Sequence, residues 1–149
     1  FWKNMNYGFL RDVSKKLGSQ AFILSLPILK YKNSIFIYNF VNKNKIPFKN
    51  LCFKTLKKYV SEILITDVKN EGKHNGFDLS IADKLKKISI PLIYFGGLNE
   101  IHKINEIKNK KNTTGVALGN FLNYFEHVYQ NKLNTRKNIF SRHSYYEKK

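Results

Sequence analysis

Three apolar runs in this chain each close on residues able to hold an anion. Ile63-Leu64-Ile65 ends at the hydroxyl of Thr66, and a polar loop carrying Gly72 and Gly76 follows. Ile90-Pro91-Leu92-Ile93-Tyr94-Phe95 closes on Gly96-Gly97, and Gly115-Val116-Ala117-Leu118 closes on Gly119-Asn120. Glycine lets backbone N–H groups come close to an anion, and the start of a following helix adds a favourable dipole. Phosphate is the anion such rims bind. The same residues also serve a plain strand-to-helix turn, and Asn120 equally suits a helix N-cap.

The elements that must position these groups follow from periodicity. Leu10, Val13 and Leu17 share a helical face, with Gly18 as its C-cap. Residues 21–29 read as a buried strand and residues 34–40 as a hairpin arm, with Tyr31-Lys32-Asn33-Ser34 as the turn. Phe48, Leu51, Cys52, Leu56 and Tyr59 fit an amphipathic helix with Pro47 in its first turn. Residues 63–68 read as a strand. Ile81, Leu85 and Ile88 mark a helix that Pro91 stops, and residues 92–95 are the next strand. Asn99 is the expected N-cap of a helix with face Ile101, Ile104 and Ile107. Residues 116–118 are a strand, and Phe121, Tyr124, Phe125 and Val128 begin a last helical face. Alternating strands and helices imply a parallel sheet. An open doubly wound sheet and part of a (β/α)8 barrel compete. A whole barrel needs about 250 residues. This chain offers four βα units, so half a barrel fits better. No Gly-x-Gly-x-x-Gly fingerprint is present.

Composition narrows the class. The chain has 149 residues, 42% of them apolar, enough for one domain with a core. Residues 21–29 form too short a run to span a membrane, which takes about 18–20 apolar residues. The N-terminus lacks the basic-then-apolar order of a signal peptide. The start at Phe1 rather than Met is compatible with a fragment. One cysteine, Cys52, excludes an internal disulfide and fits a reducing cytoplasm. His74, His102, His127 and His143 lack metal-ligand spacing, so neither metal nor membrane is expected. The net charge of +17 raises the possibility of a polyanion partner. The lysines are scattered, however, with dense runs only at Lys108-Asn109-Lys110-Lys111 and in the tail. The AT-rich coding bias that also supplies Asn, Ile, Phe and Tyr is the preferred reading over nucleic-acid binding. Residues 1–140 are read as the domain and 141–149 as a disordered basic tail.

The motifs also share an order and spacing with a known family. Gly18-Ser19-Gln20, then Glu62-Ile63-Leu64-Ile65-Thr66 with Gly72, then Gly76-Phe77-Asp78, then Ile90-Pro91-Leu92-Ile93 with Gly96-Gly97 resemble the cyclase subunit of imidazole glycerol phosphate synthase. The likeness runs from about residue 10 to about residue 125. It implies an α/β fold, the C-terminal half of a (β/α)8 TIM-type barrel: strands five to eight with their helices, and a hairpin after strand five. It implies ammonia-dependent cyclisation of a bisphosphorylated ribulosyl nucleotide in histidine biosynthesis. Ammonia would come from a glutaminase subunit docked on the barrel's opposite end, with no metal or organic cofactor.

The resemblance also assigns residues. Gly96 and Gly97 match the phosphate glycines after strand seven. Gly119 and Asn120 match the small residue and serine after strand eight. Thr66, Glu71 and Gly72 match the strand-six rim, with Glu71 where the family has aspartate. Lys69 replaces another aspartate and makes that loop more basic, although Lys69 and Lys73 read equally as solvated charge. Glu62 matches a glutamate in the charged ring that gates ammonia, or is a solvent-facing strand end. Pro27 stands where the family places a proton-handling aspartate on strand five. Proline has no ionisable group, so the chemistry implied is reduced or altered. The family's other catalytic aspartate lies on strand one, outside this chain.

Two further readings remain. A divergent branch of the same family delivers ammonia to a sugar amidotransferase in surface-polysaccharide synthesis. Tyr124-Phe125-Glu126-His127 resembles that branch, and that role needs the barrel and gate more than the strand-five carboxylate. The other is a basic nucleic-acid-binding or scaffold domain, although no RNA-binding motif or helix-turn-helix spacing is present. Half a barrel exposes two sheet edges, so the missing N-terminal half or self-association is expected to cover them.

Overall fold

The computed structural model describes residues 6–73 and 76–119, and every structural statement below concerns these. The Asn6 side chain caps helix α1 (Tyr7–Leu17) by accepting from the Phe9 amide at 3.1 Å. Gly18 ends the helix as expected, with φ 84° and its N–H bonded to the Ser14 carbonyl. Lys15 and Lys16 in the last turn complement the helix dipole. A 3-10 turn (Ser19–Ala21) then delivers the chain into strand β1 (Ile23–Tyr31), which pairs in an antiparallel hairpin with β2 (Ser34–Asn39). Lys32, at φ 49°, makes the expected turn.

The next stretch departs from its periodicity. Instead of one helix from Phe48, the chain first forms strand β3 (Asn44–Pro47), antiparallel to β2 with Phe36 opposite Pro47. Pro47 is thus an edge-strand residue rather than a helix start, a position that tolerates its missing N–H. A 3-10 turn (Phe48–Asn50) and a four-residue helix α2 (Phe53–Leu56) follow. Ladder pairing outcompetes the helical pattern here. Leu51 and Leu56 are buried as expected, but Cys52 is exposed.

Strand β4 (Glu62–Asp67), helix α3 (Leu79–Leu85), strand β5 (Leu92–Phe95), helix α4 (Ile101–Lys108) and strand β6 (Thr113–Val116) complete the described chain. Two details differ from expectation. Residue Glu100, not Asn99, is the N-cap of α4, and Ile101 is 59% exposed while Ile107 is buried. Strand β6 also starts three residues early, because Asn112, at φ 64°, turns the chain and its carbonyl accepts from the Leu92 amide. The helix expected from Phe121 and the proposed tail lie outside the described residues.

The sheet order is β3-β2-β1-β4-β5-β6. Strands β1, β4, β5 and β6 are mutually parallel, and the hairpin adds two antiparallel strands beyond β1. Its two faces differ sharply. Leu24, Leu26, Ile28, Ile63, Ile65, Leu92 and Tyr94 are buried in one core with Ile81, Ala82 and Leu85 of α3, Ile107 of α4, and Leu10 of α1. Each fully buried side chain contributes about 1.5–3 kcal/mol relative to exposure. Residues of the opposite parity fare otherwise. Ile23 and Ser25 are exposed, and Glu62, Leu64, Thr66, Ile93 and Phe95 are only half-buried. Helices therefore cover one side, and the other side is the less buried, open face of the sheet.

Candidate functional site

The carboxyl ends of β4 and β5 meet through a turn built on one carboxylate. Asp67, buried at the end of β4, accepts from the Lys69 amide at 3.1 Å, the Asn70 side-chain amide at 2.7 Å and the Asp78 amide at 3.0 Å. Its own carbonyl accepts from the Glu71 amide at 2.9 Å. The loop from residue 67 to residue 71 is thereby wound tightly, and Gly72 follows at φ 68°.

Gly96 and Gly97 lie directly against this turn. Both have left-handed backbones, at φ 101° and 73°. A methyl on Gly96 would lie 3.0 Å from the Asp67 carbonyl oxygen, and one on Gly97 only 2.8 Å from that of Asn70. Only glycine fits both the torsion and the space. The glycine pair therefore locks two strand-end loops together, a purpose that the sequence alone did not reveal. Gly119 completes the row beyond β6, where an added methyl would sit 3.7 Å from the Phe95 ring. Pro27, Thr66 and Phe95 are register neighbours across β1, β4 and β5. Thr66 thus brings its hydroxyl to the open face of the sheet beside a buried proline ring.

Glu71 stands over Gly96: a methyl there would be 3.1 Å from the Glu71 Oε2. Loss of hydration and the nearby Asp67 charge raise the Glu71 pKa above the usual carboxylate range. The rim's other carboxylates are engaged. Asp78 caps α3 through the Ser80 amide at 3.0 Å, and receives the Lys30 ammonium at 2.8 Å and the Ser80 hydroxyl at 2.6 Å. Burial alone would raise its pKa, but hydrogen bonds from Lys30 and Ser80 outweigh it and leave the carboxyl below its ordinary range. Glu100 is likewise lowered, first by its hydrogen bond from Lys103 at 2.5 Å. The Asp67 turn and the Lys30–Asp78–Ser80 cluster were not anticipated. Their only sequence signal is the Asp-x-x-Asn spacing at the strand end, which suits a side-chain-closed turn.

Glu62 occupies the opposite end of β4. Its carboxylate shares the open face of the sheet with Leu64 and Thr66 by strand parity, and accepts from the Thr114 hydroxyl at 2.8 Å. The structure thus places Thr66, Glu71, Gly72, Gly96, Gly97 and Gly119 at one end of the parallel strands and Glu62 at the other. Asn120, Tyr124 and His127 lie outside the described residues. Among the described residues, no group of three His, Cys, Asp or Glu side chains is placed to hold a metal ion. No described helix is long and apolar enough to cross a membrane.

A one-sided helical layer on four parallel strands, with glycine loops at the carboxyl ends, is the layout of part of a (β/α)8 barrel. The sequence model of the family described as "Histidine biosynthesis protein", a (β/α)8-barrel family, matches residues 3–129. The chain belongs to that family. Similar proteins are named "Imidazole glycerol phosphate synthase subunit HisF". The one from Exiguobacterium sp. is 26% identical over 106 residues, 68% of this chain and 41% of the relative. That from Campylobacter concisus is 29% identical over 99 residues, 64% of this chain and 39% of the relative. That from Natranaerobius thermophilus is 26% identical over 118 residues, 77% of this chain and 47% of the relative. The chain therefore spans less than half the length of these curated relatives.

Proposed function

We propose that this chain is the C-terminal half of a cyclase-type barrel whose glycine rim binds a phosphate group of a bisphosphorylated ribulosyl nucleotide. One observation carries the reading: Gly96 and Gly97, both left-handed, pack on the Asp67–Asn70 turn. That packing gathers the loops of adjacent strands at one end of the sheet, where barrels of this kind use the loops after strands seven and eight for phosphate. The matched relatives' name, which contains imidazole glycerol phosphate, supports a phosphorylated ligand. Glu62, at the far end of β4, belongs to an ammonia gate facing a glutaminase subunit. Thr66, Glu71 and Gly72 line the substrate side, with Gly119 and Asn120 completing the phosphate loop. The test is an NMR titration with inorganic phosphate and then with the ribulosyl nucleotide. Saturable shifts confined to the amides of Gly72, Gly96, Gly97 and Gly119 are expected. Shifts spread over surface lysines, lost steeply with added salt, would instead favour nonspecific polyanion binding.

A second reading rests on Pro27. It is buried in β1 beside Thr66 and offers no proton to a cyclisation. A barrel that passes ammonia from a glutaminase to a sugar amidotransferase in polysaccharide synthesis has no need of that carboxylate. Ammonia-dependent turnover of the ribulosyl nucleotide by the chain joined to an N-terminal half-barrel would dismiss this second reading. Retained glutaminase binding without turnover would favour it.

A further inference from the structure

One face of the antiparallel strands β1, β2 and β3 is an array of aromatic rings and lysines. Ile28 pairs with Ile37, and Ile37 with Ile46, on the face that joins the core. By strand parity Tyr31, Tyr38 and Lys45 lie on the other face, with Tyr38 opposite Lys45. The Phe40 ring meets that of Tyr38 edge-on, centroids 4.8 Å apart. Tyr31 and Phe40 are 58% and 62% exposed. The Lys32 and Lys45 Nζ atoms stand 5.8 and 5.2 Å from the Tyr31 ring centroid, within reach of cation–π attraction. The β2–β3 turn does not require Phe40: buried Asn39 closes it by accepting from the Val41 and Asn42 amides at 3.0 and 3.2 Å. The charge here is one-sided. Between Asp12 and Glu62 the chain has ten lysines and no Asp or Glu. An AT-rich coding bias supplies lysine throughout a chain, but gives no reason for carboxylates to vanish from one continuous stretch. Lys32, Lys43 and Lys45 are exposed, and among the described residues none of them is in an ion pair.

We propose that this hairpin face binds a single-stranded nucleic acid, with bases stacking on Tyr31 and Phe40 and with Lys32, Lys43 and Lys45 meeting the phosphates. Charge and ring chemistry select the occupant. Unpaired lysines in an acid-free surface attract a polyanion. Exposed rings beside them suit a polyanion whose every unit presents a π-face, which a nucleic-acid strand does and a phospholipid headgroup does not. A duplex keeps those faces in its own stack, so the strand is single. Stacking tolerates any base, so such a face needs no sequence-reading motif. The rings come from both ends of β2 and are gathered on one face only when the hairpin forms.

Fluorescence anisotropy of a labelled oligothymidylate of about twelve nucleotides, titrated with the full chain at several salt concentrations, tests this. Saturable binding is expected. Tyr31→Ala and Phe40→Ala should each weaken it by at least about fivefold, the worth of one stacked base. Tyr31→Phe keeps the ring and should keep the affinity, which a purely structural role for the ring would not distinguish by ligand. Lys32→Gln with Lys45→Gln should lower the slope of log affinity against log salt by roughly 0.7 for each lysine. Lys84→Gln with Lys87→Gln removes equal charge at α3 and should change affinity by less than about twofold, because solvent and salt screen distant charge. Far-UV circular dichroism should match the parent for every variant. Absence of saturable binding, affinity indifferent to both Tyr31→Ala and Phe40→Ala, or equal affinity for a duplex of the same length would overturn the proposal. So would binding to phosphatidylglycerol vesicles without binding to the oligonucleotide. The face shares no residue with the glycine rim, so this proposal and the functional reading fail separately.

Discussion

The Thr114 hydroxyl on β6 reaches across β5 to donate to Glu62 Oε1 on β4 at 2.8 Å. A register shift makes this possible: Leu92 pairs with Thr113 but Ile93 pairs with Gly115, so Thr114 is the extra residue of a bulge. Such a bulge re-aims one side chain, here over the Leu92 carbonyl at 3.3 Å and toward Glu62. Thr114→Val is therefore expected to cost about 0.5–1.5 kcal/mol, the usual net worth of one hydrogen bond. Thr114→Ser should recover most of it. Urea denaturation of the three proteins checks both values.

Gly97 is the least replaceable glycine of the rim. An alanine there would meet the Asn70 carbonyl oxygen at 2.8 Å and the Asn70 Cβ at 2.9 Å, in a left-handed backbone. Gly18 has a similar torsion, φ 84°, but nothing within 4 Å of an added methyl. Gly18→Ala is expected to cost about 1 kcal/mol, from torsion alone. Gly97→Ala adds a clash with backbone and should cost at least about 2 kcal/mol more. Equal urea midpoints for the two variants would show that the loops are not packed together.

Asp67→Ala removes the acceptor of three donors in a buried turn. A buried donor left without a partner costs about 1–3 kcal/mol. The loss should fall first on the loop from 67 to 78, seen as faster amide exchange at Lys69 and Asp78. The same change removes a neighbouring charge that raises the Glu71 pKa. Carboxyl NMR should record Glu71 titrating at lower pH in Asp67→Ala than in the parent chain.

Glu71 and Asp78 have opposite pH linkages. The Asp78 pKa is lowered in the folded chain, so its contribution is present above the unfolded pKa and is lost as pH falls through the folded one. The Glu71 pKa is raised, so the folded state binds its proton more readily and gains stability as pH falls through that value. Glu71→Gln should therefore stabilise the chain near neutral pH and lose that advantage in acid. Lys30→Met should destabilise it near neutral pH and matter less once Asp78 is protonated. Thermal denaturation across the acid range checks both signs.

Much of this architecture was legible because strands and helices here carry clean local signals. The two-glycine closures, the apolar run from Ile63, the Gly18 cap and the turn at Lys32 each fix a boundary by backbone chemistry. The stretch from Asn44 to Tyr59 misled, because helical spacing of Phe48, Leu51 and Leu56 says nothing about a ladder forming just upstream with β2. The start of β6 was missed for a similar reason: Asn112 in the left-handed region is not a glycine and gave no warning. At the rim, the sequence marked the glycines but not what they touch. Their close approach to Asp67 and Asn70 is a relation between two loops some thirty residues apart in sequence. The contact between Thr114 and Glu62 escaped notice likewise, since no periodicity links residues two strands apart.

The anion cradle at the carboxyl ends of β4, β5 and β6 is the claim on which the functional reading stands. A crystal structure of the chain soaked with the bisphosphorylated ribulosyl nucleotide tests it most directly. The expected result is a phosphate within hydrogen-bond distance of the Gly96 or Gly97 amide, with the remainder of the ligand lying toward Thr66 on the open face of the sheet. A ligand bound elsewhere, or a rim left empty at saturating concentration, would contradict it.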